Sequence, residues 1–335
     1  MIDERLKRLY PLKWGKNLGD LRYKNVLIVG LGALGSNILD LLVRAGFKNL
    51  VLIDRDYVEF HDLLNSPLYT KEDAEMGKPK VVASQEKIRL IDESVNVKIF
   101  FEDFSPSFLN DIKDDISLIF DAVDNLETRF LINEFSFKRK IPWVHGACVG
   151  ERGEIAFFIP WVGACYRCLF KEIPKKGRID TCETHGINPV VAKIVAGIQL
   201  DFAIKYFTLK RNYINRMIYI DFSDNYSLRE FKLKKRRDCS LCTFGKFEFI
   251  DKEDQKIMTF CSEKTVYIKL DFFDYEKIKQ NWRNYEGFEE NRFFIKLKVK
   301  EEEIKLFKEG KLFISSKDLI DEKKIKNLIS KFIGT

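Results

Sequence analysis

The feature that most constrains the fold is a set of three glycines spaced G-x-G-x-x-G between an apolar run and an amphipathic segment. Gly30, Gly32 and Gly35 follow the run NVLIV, and residues Ala33 to Ala45 carry apolar side chains at helical spacing. A second apolar run, Leu50 to Asp54, closes a unit of about 30 residues, the length of one βαβ crossover. Glycines in such a turn let the backbone approach phosphates at the positive end of a helix. The sequence therefore predicts a nucleotide-binding βαβ unit.

The rest of the first 235 residues continues this alternation of strand and helix patterns. Predicted strands span Val97–Phe101, Ser117–Asp121, Trp143–Ala147, Glu154–Ile159, Met217–Phe222 and Ser227–Leu233. Predicted helices span Lys80–Ile91, Asn125–Lys138 and the strongly apolar Pro189–Tyr206. This pattern indicates an α/β fold, a Rossmann-like and mostly parallel sheet with helices on both faces. Alternating runs at Thr265–Leu270, Phe293–Val299 and Glu303–Phe307, with a final helix at Glu322–Phe332, predict a small C-terminal α+β domain.

Composition narrows the class of protein. A chain of 335 residues is long enough for two domains. Its longest apolar stretches fall short of the roughly 18 residues that a membrane span needs, and the N-terminus lacks the apolar core of a signal peptide. The net charge of +7 is spread along the chain, so we expect no nucleic-acid partner, and we interpret the basic run Lys232 to Arg237 as a solvated strand end. Seven cysteines without a secretory signal indicate a reducing compartment, and we expect a cytoplasmic protein.

Polar residues cluster at or just beyond the predicted strand ends, where ligands bind in open α/β sheets. Asp54 lies 19 residues after Gly35, the position of an acid that hydrogen-bonds ribose hydroxyls. The remaining members of the cluster are Asp56, Asn65, Lys80, Asp121 and Asp124. Several acids with a lysine suit the binding of Mg²⁺ and a triphosphate, whereas a hydride-transfer site does not need groups that bind a metal and a triphosphate. ATP with Mg²⁺ is therefore the favoured ligand. Tight packing of the glycines and an NAD-dependent oxidoreductase remain as alternatives.

Two C-x-x-C pairs predict a zinc site. Cys165 and Cys168 form the first pair, and Cys239 and Cys242 the second. Four thiolates from two such pairs make a closed tetrahedral Zn²⁺ site of the structural kind. The 70 residues between the pairs mean that the metal would join distant parts of the chain. A disulfide or redox role for these cysteines is the alternative.

Cys182 stands apart from both pairs, in the loop R-I-D-T-C-E-T-H-G. It is a candidate nucleophile, although a loop thiol without an activating environment would be unreactive. Cys148 and Cys261 are expected to pack as small apolar residues.

Taken together, these residues resemble the ThiF/MoeB/HesA adenylyltransferases, relatives of the ubiquitin-activating enzymes, over roughly Leu21 to Cys242. The matching motifs are G-L-G-A-L-G at Gly30, L-I-D-R-D at Leu52, G-K-P-K-V at Gly77, D-A-V-D-N-L-E-T-R at Asp121, C-Y-R-C-L-F at Cys165 and T-C-E-T-H-G at Thr181. The tail resembles a C-terminal extension of some archaeal and bacterial members. Residues 1–20 would then be an N-terminal segment, 21–246 an adenylation domain with the zinc-binding pairs, and 247–335 the small C-terminal domain.

The resemblance implies an order of chemistry and a role for each matching residue. ATP and Mg²⁺ bind, and the C-terminal glycine carboxylate of a small β-grasp carrier ending in Gly-Gly attacks the α-phosphate to give an acyl-adenylate. The family's roles fall on residues that the motifs match: Gly30, Gly32, Gly35 and Lys80 on the phosphates, Asp54 on the ribose and Asp124 on Mg²⁺. Asp56, Asn65, Asp121 and Asn125 are further candidates for the nucleotide site. Cys182 occupies the position of a cysteine that takes part in thioester or persulfide chemistry in some members. A homodimer is expected from the same resemblance.

One departure from the family pattern concerns an arginine. The family usually reads N-x-x-R-Q after the second strand, and its arginine contacts the triphosphate, whereas this chain reads Asn65-Ser66-Pro67-Leu68. Related dimers also supply an arginine from the partner's N-terminal segment, for which Arg5 and Arg8 are candidates. The departure keeps two alternatives open: adenylation of a small-molecule carboxylate, and a nucleotide-binding subunit without catalysis.

Overall fold

The computed structural model describes residues 4–174, 185–211, 213–252, 257–259, 264–318 and 320–334. It divides into two compact units, Met1–Glu253 and Asp254–Thr335. No helix of the described residues combines the length and the apolar character needed to cross a membrane.

The first unit is built on an eight-stranded sheet in the order β3-β2-β1-β4-β5-β6-β7-β8. Its strands are β1 Asn25–Val29, β2 Asn49–Ile53, β3 Asn96–Phe100, β4 Leu118–Asp121, β5 Trp143–Val149, β6 Arg152–Phe158, β7 Arg216–Asp221 and β8 Ser227–Lys232. Strands β1 to β5 run parallel, and β6 to β8 continue antiparallel. The order 3-2-1-4-5 is that of a doubly wound nucleotide-binding fold, which confirms the predicted fold class.

Helices cover both faces of this sheet. They are α1 Ala33–Arg44, α2 Lys71–Glu75, α3 Lys80–Ile91, α4 Leu126–Arg139 and α5 Pro189–Leu209, with 3-10 helices at Glu4–Leu6, Gly15–Tyr23, Phe60–Leu64, Phe108–Asp111 and Tyr166–Leu169. Along β1, Val26 and Ile28 join one core while Leu27 and Val29 join the other. Burial on both faces explains why the strand reads as one continuous apolar run.

Local sequence signals set the ends of the helices near the site. Asn125 begins α4 by accepting a hydrogen bond from the Thr128 amide at 2.9 Å. Asn188 begins α5 by accepting a hydrogen bond from the Val190 amide, and Pro189 occupies the first turn of that helix. Most predicted elements are confirmed within one or two residues. The helix from Pro189 runs three residues further than predicted, to Leu209, and α2 was missed because it has a single turn.

The second unit is a six-stranded antiparallel sheet in the order β11-β12-β13-β14-β10-β9. Its strands are β9 Ile257–Thr259, β10 Thr265–Lys269, β11 Phe288–Glu290, β12 Phe294–Val299, β13 Glu302–Phe307 and β14 Lys311–Ser316, with helices α6 Tyr275–Trp282 and α7 Glu322–Phe332. This unit has its own core, in which Trp282 is fully buried and its indole N–H donates to the Phe332 carbonyl at 2.8 Å.

Candidate functional site

The three glycines after β1 lie in different structural environments. Gly30 has a φ of +88°, and a Cβ there would lie 2.7 Å from the Ala122 carbonyl oxygen. A Cβ on Gly35 would lie 1.9 Å from the Gly30 carbonyl oxygen, so the turn and the helix could not pack together with a side chain at that position. A Cβ on Gly32 would meet nothing within 4 Å. The turn itself thus requires Gly30 and Gly35, while Gly32 leaves open space at the start of α1, where the glycine spacing predicts a phosphate.

Asp54 lies directly beneath this turn, at the end of β2. Its two carboxylate oxygens accept hydrogen bonds from the Leu31 amide at 2.5 Å and from the Asp56 amide at 2.7 Å. Burial and the neighbouring Asp56 raise the pKa of Asp54 to about 6. The carboxylate is therefore fixed in position and ionised at neutral pH, which suits an acceptor for ribose hydroxyls.

Lys80 begins α3, and its amide donates to the Asp56 carbonyl at 2.9 Å, which ties the helix to the segment after β2. Its buried ammonium lies 3.0 Å from Asp62 Oδ1 and 4.0 Å from Asp56 Oδ2. Burial would lower the pKa of Lys80, but Asp62, Asp56 and Asp54 together raise it well above its ordinary value. Lys80 is consequently a permanent cation close to Asp54. Asp62 was not predicted as a site residue, and its place here depends on the 3-10 helix Phe60–Leu64.

Asn65 follows that 3-10 helix and is buried. Its main-chain oxygen accepts from the Asn37 side chain at 2.8 Å. Its own Oδ1 has no hydrogen-bond partner among the described residues. A buried amide oxygen of this kind is expected to find a donor when the site is filled, because leaving it unpaired costs about 1–3 kcal/mol. Its role in the nucleotide site stays a prediction.

The acids after β4 occupy different environments. Asp121 is fully buried and accepts from Arg129 Nε and pairs with His145 Nδ1, both at 2.8 Å. Burial would raise the pKa of Asp121, but Arg129 and His145 lower it overall. Asp124 is exposed three residues later and lies 3.3 Å from the side-chain amide of Asn125, which also caps α4.

This geometry separates the two predicted acids by position. Asp124 is placed where solvent or a metal can reach it, and Asp121 lies beneath it in an ion-pair cluster. The nucleotide roles of Asp121, Asp124 and Asn125 stay predictions. Arg129 and His145 were missed, although the arginine ends the D-A-V-D-N-L-E-T-R motif.

The four paired cysteines converge on one buried point. The Sγ–Sγ distances are 3.9 Å for Cys165 to Cys168, 3.6 Å for Cys165 to Cys239 and 3.4 Å for Cys168 to Cys242, and all four sulfurs lie within 4.8 Å of one another. Four sulfurs at the tetrahedral corners around a zinc ion are roughly 3.8 Å apart, given Zn–S bonds of about 2.3 Å. The cluster therefore fits a structural zinc ion. The Arg236 amide also donates to Cys168 Sγ at 3.5 Å, a contact suited to a thiolate.

Helix α4 connects this cysteine cluster to the loop that carries Asp124. At its start Arg129 contacts Asp121, and in its middle the Asn133 side chain accepts from the Tyr166 amide at 3.1 Å. Beside it, the carboxylate of Glu134 accepts from the amides of Glu248, Phe249 and Ile250 at 2.7, 2.8 and 2.9 Å. A metal that orders the cysteine segments would thus also support α4.

Two further predicted features remain open. Cys182 lies outside the described residues. Arg5, one candidate for an arginine donated to a second copy, bonds Asp92 of its own chain at 2.7 Å.

Comparison with known proteins places these features in a family. The family model described as ThiF family matches residues 9–241. The chain is 31% identical over 321 residues to the sulfur carrier protein ThiS adenylyltransferase of Bacillus subtilis, covering 94% of each protein. It is 29% identical over 237 residues to the SAMP-activating enzyme E1 of Haloferax volcanii, covering 70% of this chain and 86% of that protein.

A solved structure with a similar fold is that of E. coli MccB with ATP. It superposes with a TM-score of 0.62 at 19% identity, covering 72% of this chain and 75% of that chain. At this identity the similarity shows the fold alone, an α/β architecture.

Proposed function

The chain belongs to the ThiF family, and from this premise we propose that it is an ATP-dependent adenylyltransferase that activates the C-terminal carboxylate of a small β-grasp carrier protein. The relatives named for activating sulfur-carrier and ubiquitin-like proteins support this function. The observation that carries it is the assembly of the open turn at Gly32, the fixed carboxylate of Asp54 and the buried cation Lys80 at one edge of the sheet.

The reaction forms one bond and breaks one. An oxygen of the carrier's terminal carboxylate bonds to the α-phosphorus of ATP, and the bond from that phosphorus to the bridging oxygen breaks. Pyrophosphate leaves with the electron pair, and AMP remains on the carrier as an acyl-adenylate. The charge that develops on the phosphate oxygens requires cations and N–H donors held in place beforehand, because rearranging them during the reaction would cost free energy.

In this proposal each site residue has a role that agrees with its position. The N-terminus of α1 faces the phosphates across Gly32, Asp54 holds the ribose, and Lys80 neutralises phosphate charge. Asp62 and Asp56 keep Lys80 charged and aimed. Asp124 would hold Mg²⁺, which supplies further positive charge on the triphosphate. Asp56, Asn65, Asp121 and Asn125 complete the nucleotide site in this proposal.

Several parts of the proposal extend beyond the site. The cysteine cluster would bind Zn²⁺ and the carrier would end in Gly-Gly. The protein would act as a cytoplasmic homodimer whose second copy supplies an arginine, Arg5 or Arg8, to a site in which Leu68 stands where the family has an arginine. Residues 21–246 would form the adenylation domain, preceded by the segment 1–20. The small C-terminal domain, expected from residue 247, would begin where the two compact units divide, after Glu253. Cys182 would act after adenylation, in thioester or persulfide chemistry.

The test is exchange of labelled pyrophosphate into ATP in the presence of a Gly-Gly-ended carrier encoded beside this protein. We expect exchange that needs the carrier, is lost when the carrier's last glycine is deleted, is abolished in Asp124→Ala and persists in Cys182→Ala. ATP binding without exchange, with any such carrier or small carboxylate, would instead indicate a nucleotide-binding subunit without catalysis. Exchange supported only by a small carboxylate would refute the carrier as substrate.

A further inference from the structure

A buried histidine, His145, lies beside Asp121 and has no role in the proposed reaction. Strand β5 pairs in parallel with β4, with Val144 opposite Phe120, so the next residue of β5 comes to lie beside the last residue of β4. The His145 ring is fully buried, and its Nδ1 lies 2.8 Å from Asp121 Oδ2. Burial would raise the pKa of Asp121, but Arg129 and His145 lower it overall, so the carboxylate is ionised. Nδ1 therefore carries a hydrogen and donates it to the carboxylate.

The carboxylate of Asp121 in turn holds the backbone that leads to Asp124. Its Oδ1 accepts from the Val123 amide at 3.1 Å, and its Oδ2 accepts from Arg129 Nε at 2.8 Å. Arg129 Nη2 also donates to the Val123 carbonyl at 2.5 Å. The Asp121–Arg129 ion pair thus fixes both main-chain groups of Val123, and Asp124 is the next residue along the chain.

His145 limits how the Asp121 carboxylate can turn. Oδ2 receives one donor from helix α4, Arg129, and a second from strand β5, His145. With the helix donor alone, the carboxylate would be free to turn about its side-chain bond together with the arginine. The ring is itself held by packing, since its centroid lies 6.0 Å from that of Trp143 and 5.1 Å from that of Tyr166. The strand therefore supplies a donor that does not move with α4.

The second ring nitrogen does not compete for this orientation. His145 Nε2 lies 4.0 Å from Glu154 Oε2, and it has no hydrogen-bond partner among the described residues. Within the part of the chain that the structure describes, the contact with Asp121 is thus the one short polar contact of the ring.

We infer that His145 is a positioning residue for the nucleotide site: by donating to Asp121 it fixes the loop 122–124, and with it the place of the Asp124 carboxylate. The inference rests on the proposed function, in which Asp124 would hold the Mg²⁺ that accompanies ATP. Asp124 fits that role because it is exposed and offers carboxylate oxygens, the ligands that Mg²⁺ prefers. His145 acts through Asp121 and does not itself contact the nucleotide.

Two substitutions separate the donor of His145 from its bulk. His145→Phe keeps an aromatic ring but has no N–H, whereas His145→Asn places a side-chain amide where Nδ1 stood and has no ring. Isothermal titration calorimetry measures the affinity for ATP with Mg²⁺ and again in EDTA. In His145→Phe we expect the gain in affinity that Mg²⁺ provides to shrink about tenfold, the weight of one hydrogen bond to a charged group. Affinity in EDTA should stay within about twofold, and His145→Asn should keep the gain within about twofold of wild type.

Ser136→Ala is the matched control. It removes another buried hydrogen bond, from the Ser136 hydroxyl to the Ile141 carbonyl at 2.6 Å, near the opposite end of α4. This variant should keep the full Mg²⁺-dependent gain. Circular dichroism identifies misfolding. If His145→Phe does not fold, His145→Gln takes its place, because its longer side chain brings the amide to the position of Nε2 rather than of Nδ1.

Three results would overturn the inference. An undiminished gain in His145→Phe would mean that the donor has no effect on the site. A loss in His145→Asn as large as in His145→Phe would assign the effect to packing of the ring. A full gain in Asp124→Ala would mean that Asp124 does not meet the metal. Pyrophosphate exchange by the wild type tests the proposed function separately, so exchange that persists beside any of these results leaves that function intact.

Discussion

The carboxyl group of Asp54 should make the protein less stable as the pH rises, an effect that Asp54→Asn removes. Burial beneath the glycine turn, with Asp56 close by, raises its pKa from 3.8 to about 6. In the unfolded chain the carboxyl loses its proton near pH 4, whereas in the folded protein it keeps the proton until about pH 6. The folded state therefore binds more protons between these values, and the free energy of unfolding falls as the pH rises through this window.

The magnitude follows from the width of that window. Each pH unit in which only the folded state holds the proton costs about 1.4 kcal/mol, so Asp54 destabilises the folded protein by about 3 kcal/mol at neutral pH. About 1.4 kcal/mol of this develops between roughly pH 5 and pH 8. Asp54→Asn removes the titration. It also leaves the Leu31 or the Asp56 amide without its acceptor, which costs about 1–3 kcal/mol at every pH.

Urea unfolding of the nucleotide-free protein at a series of pH values measures this difference. We expect the gap in unfolding free energy between Asp54→Asn and wild type to shift by about 1.4 kcal/mol in favour of the variant from roughly pH 5 to pH 8. Asp40→Asn controls for the loss of one carboxylate outside the site. Curves for Asp54→Asn and wild type that stay parallel within about 0.3 kcal/mol would show that the pKa of Asp54 is not raised, because a carboxyl with an ordinary pKa gives no gap that changes with pH.

Three further predictions test other parts of the site. Lys80→Met should abolish pyrophosphate exchange and cost about 3–5 kcal/mol of stability, because it leaves Asp62 as a buried charge without its cation. Adding Asp62→Asn should restore much of the stability but no activity. Urea midpoints measure the stability, and exchange assays measure the activity. Cys168→Ser should lower bound zinc in elemental analysis and reduce stability by on the order of 5 kcal/mol, whereas unchanged zinc content would contradict a four-cysteine site. Glu134→Gln should lower the free energy of unfolding in urea by about 2 kcal/mol, because it weakens three hydrogen bonds from backbone amides. The control Glu127→Gln, at the start of the same helix, should lower it by less than about 0.5 kcal/mol.

The sequence predicted those parts of the fold and site that depend on local pattern. The run from Asn25 to Val29 reads as a buried strand because both of its faces pack against cores. The glycine spacing predicted the turn because two of its positions cannot carry a side chain. The cysteine pairs predicted one cluster because the C-x-x-C spacing by itself suits a metal site.

The parts that could not be predicted depend on contacts between distant segments. His145 reaches Asp121 only because β5 pairs with β4, and Glu134 accepts from amides 114 to 116 residues later in the chain. Asp62 faces Lys80 from a 3-10 helix of five residues, which is too short for helical periodicity to predict. Residues of this kind position the predicted site, and their partners become visible only in the folded structure.

Adenylation of a carrier protein is tested most directly by the intact mass of the carrier after a single incubation with ATP, Mg²⁺ and this protein. We expect a carrier heavier by one adenylyl group on its C-terminal residue, formed together with an equal amount of pyrophosphate, and no such product when Lys80→Met replaces the wild type. A carrier of unchanged mass, with no pyrophosphate released while ATP remains bound to the protein, would contradict it.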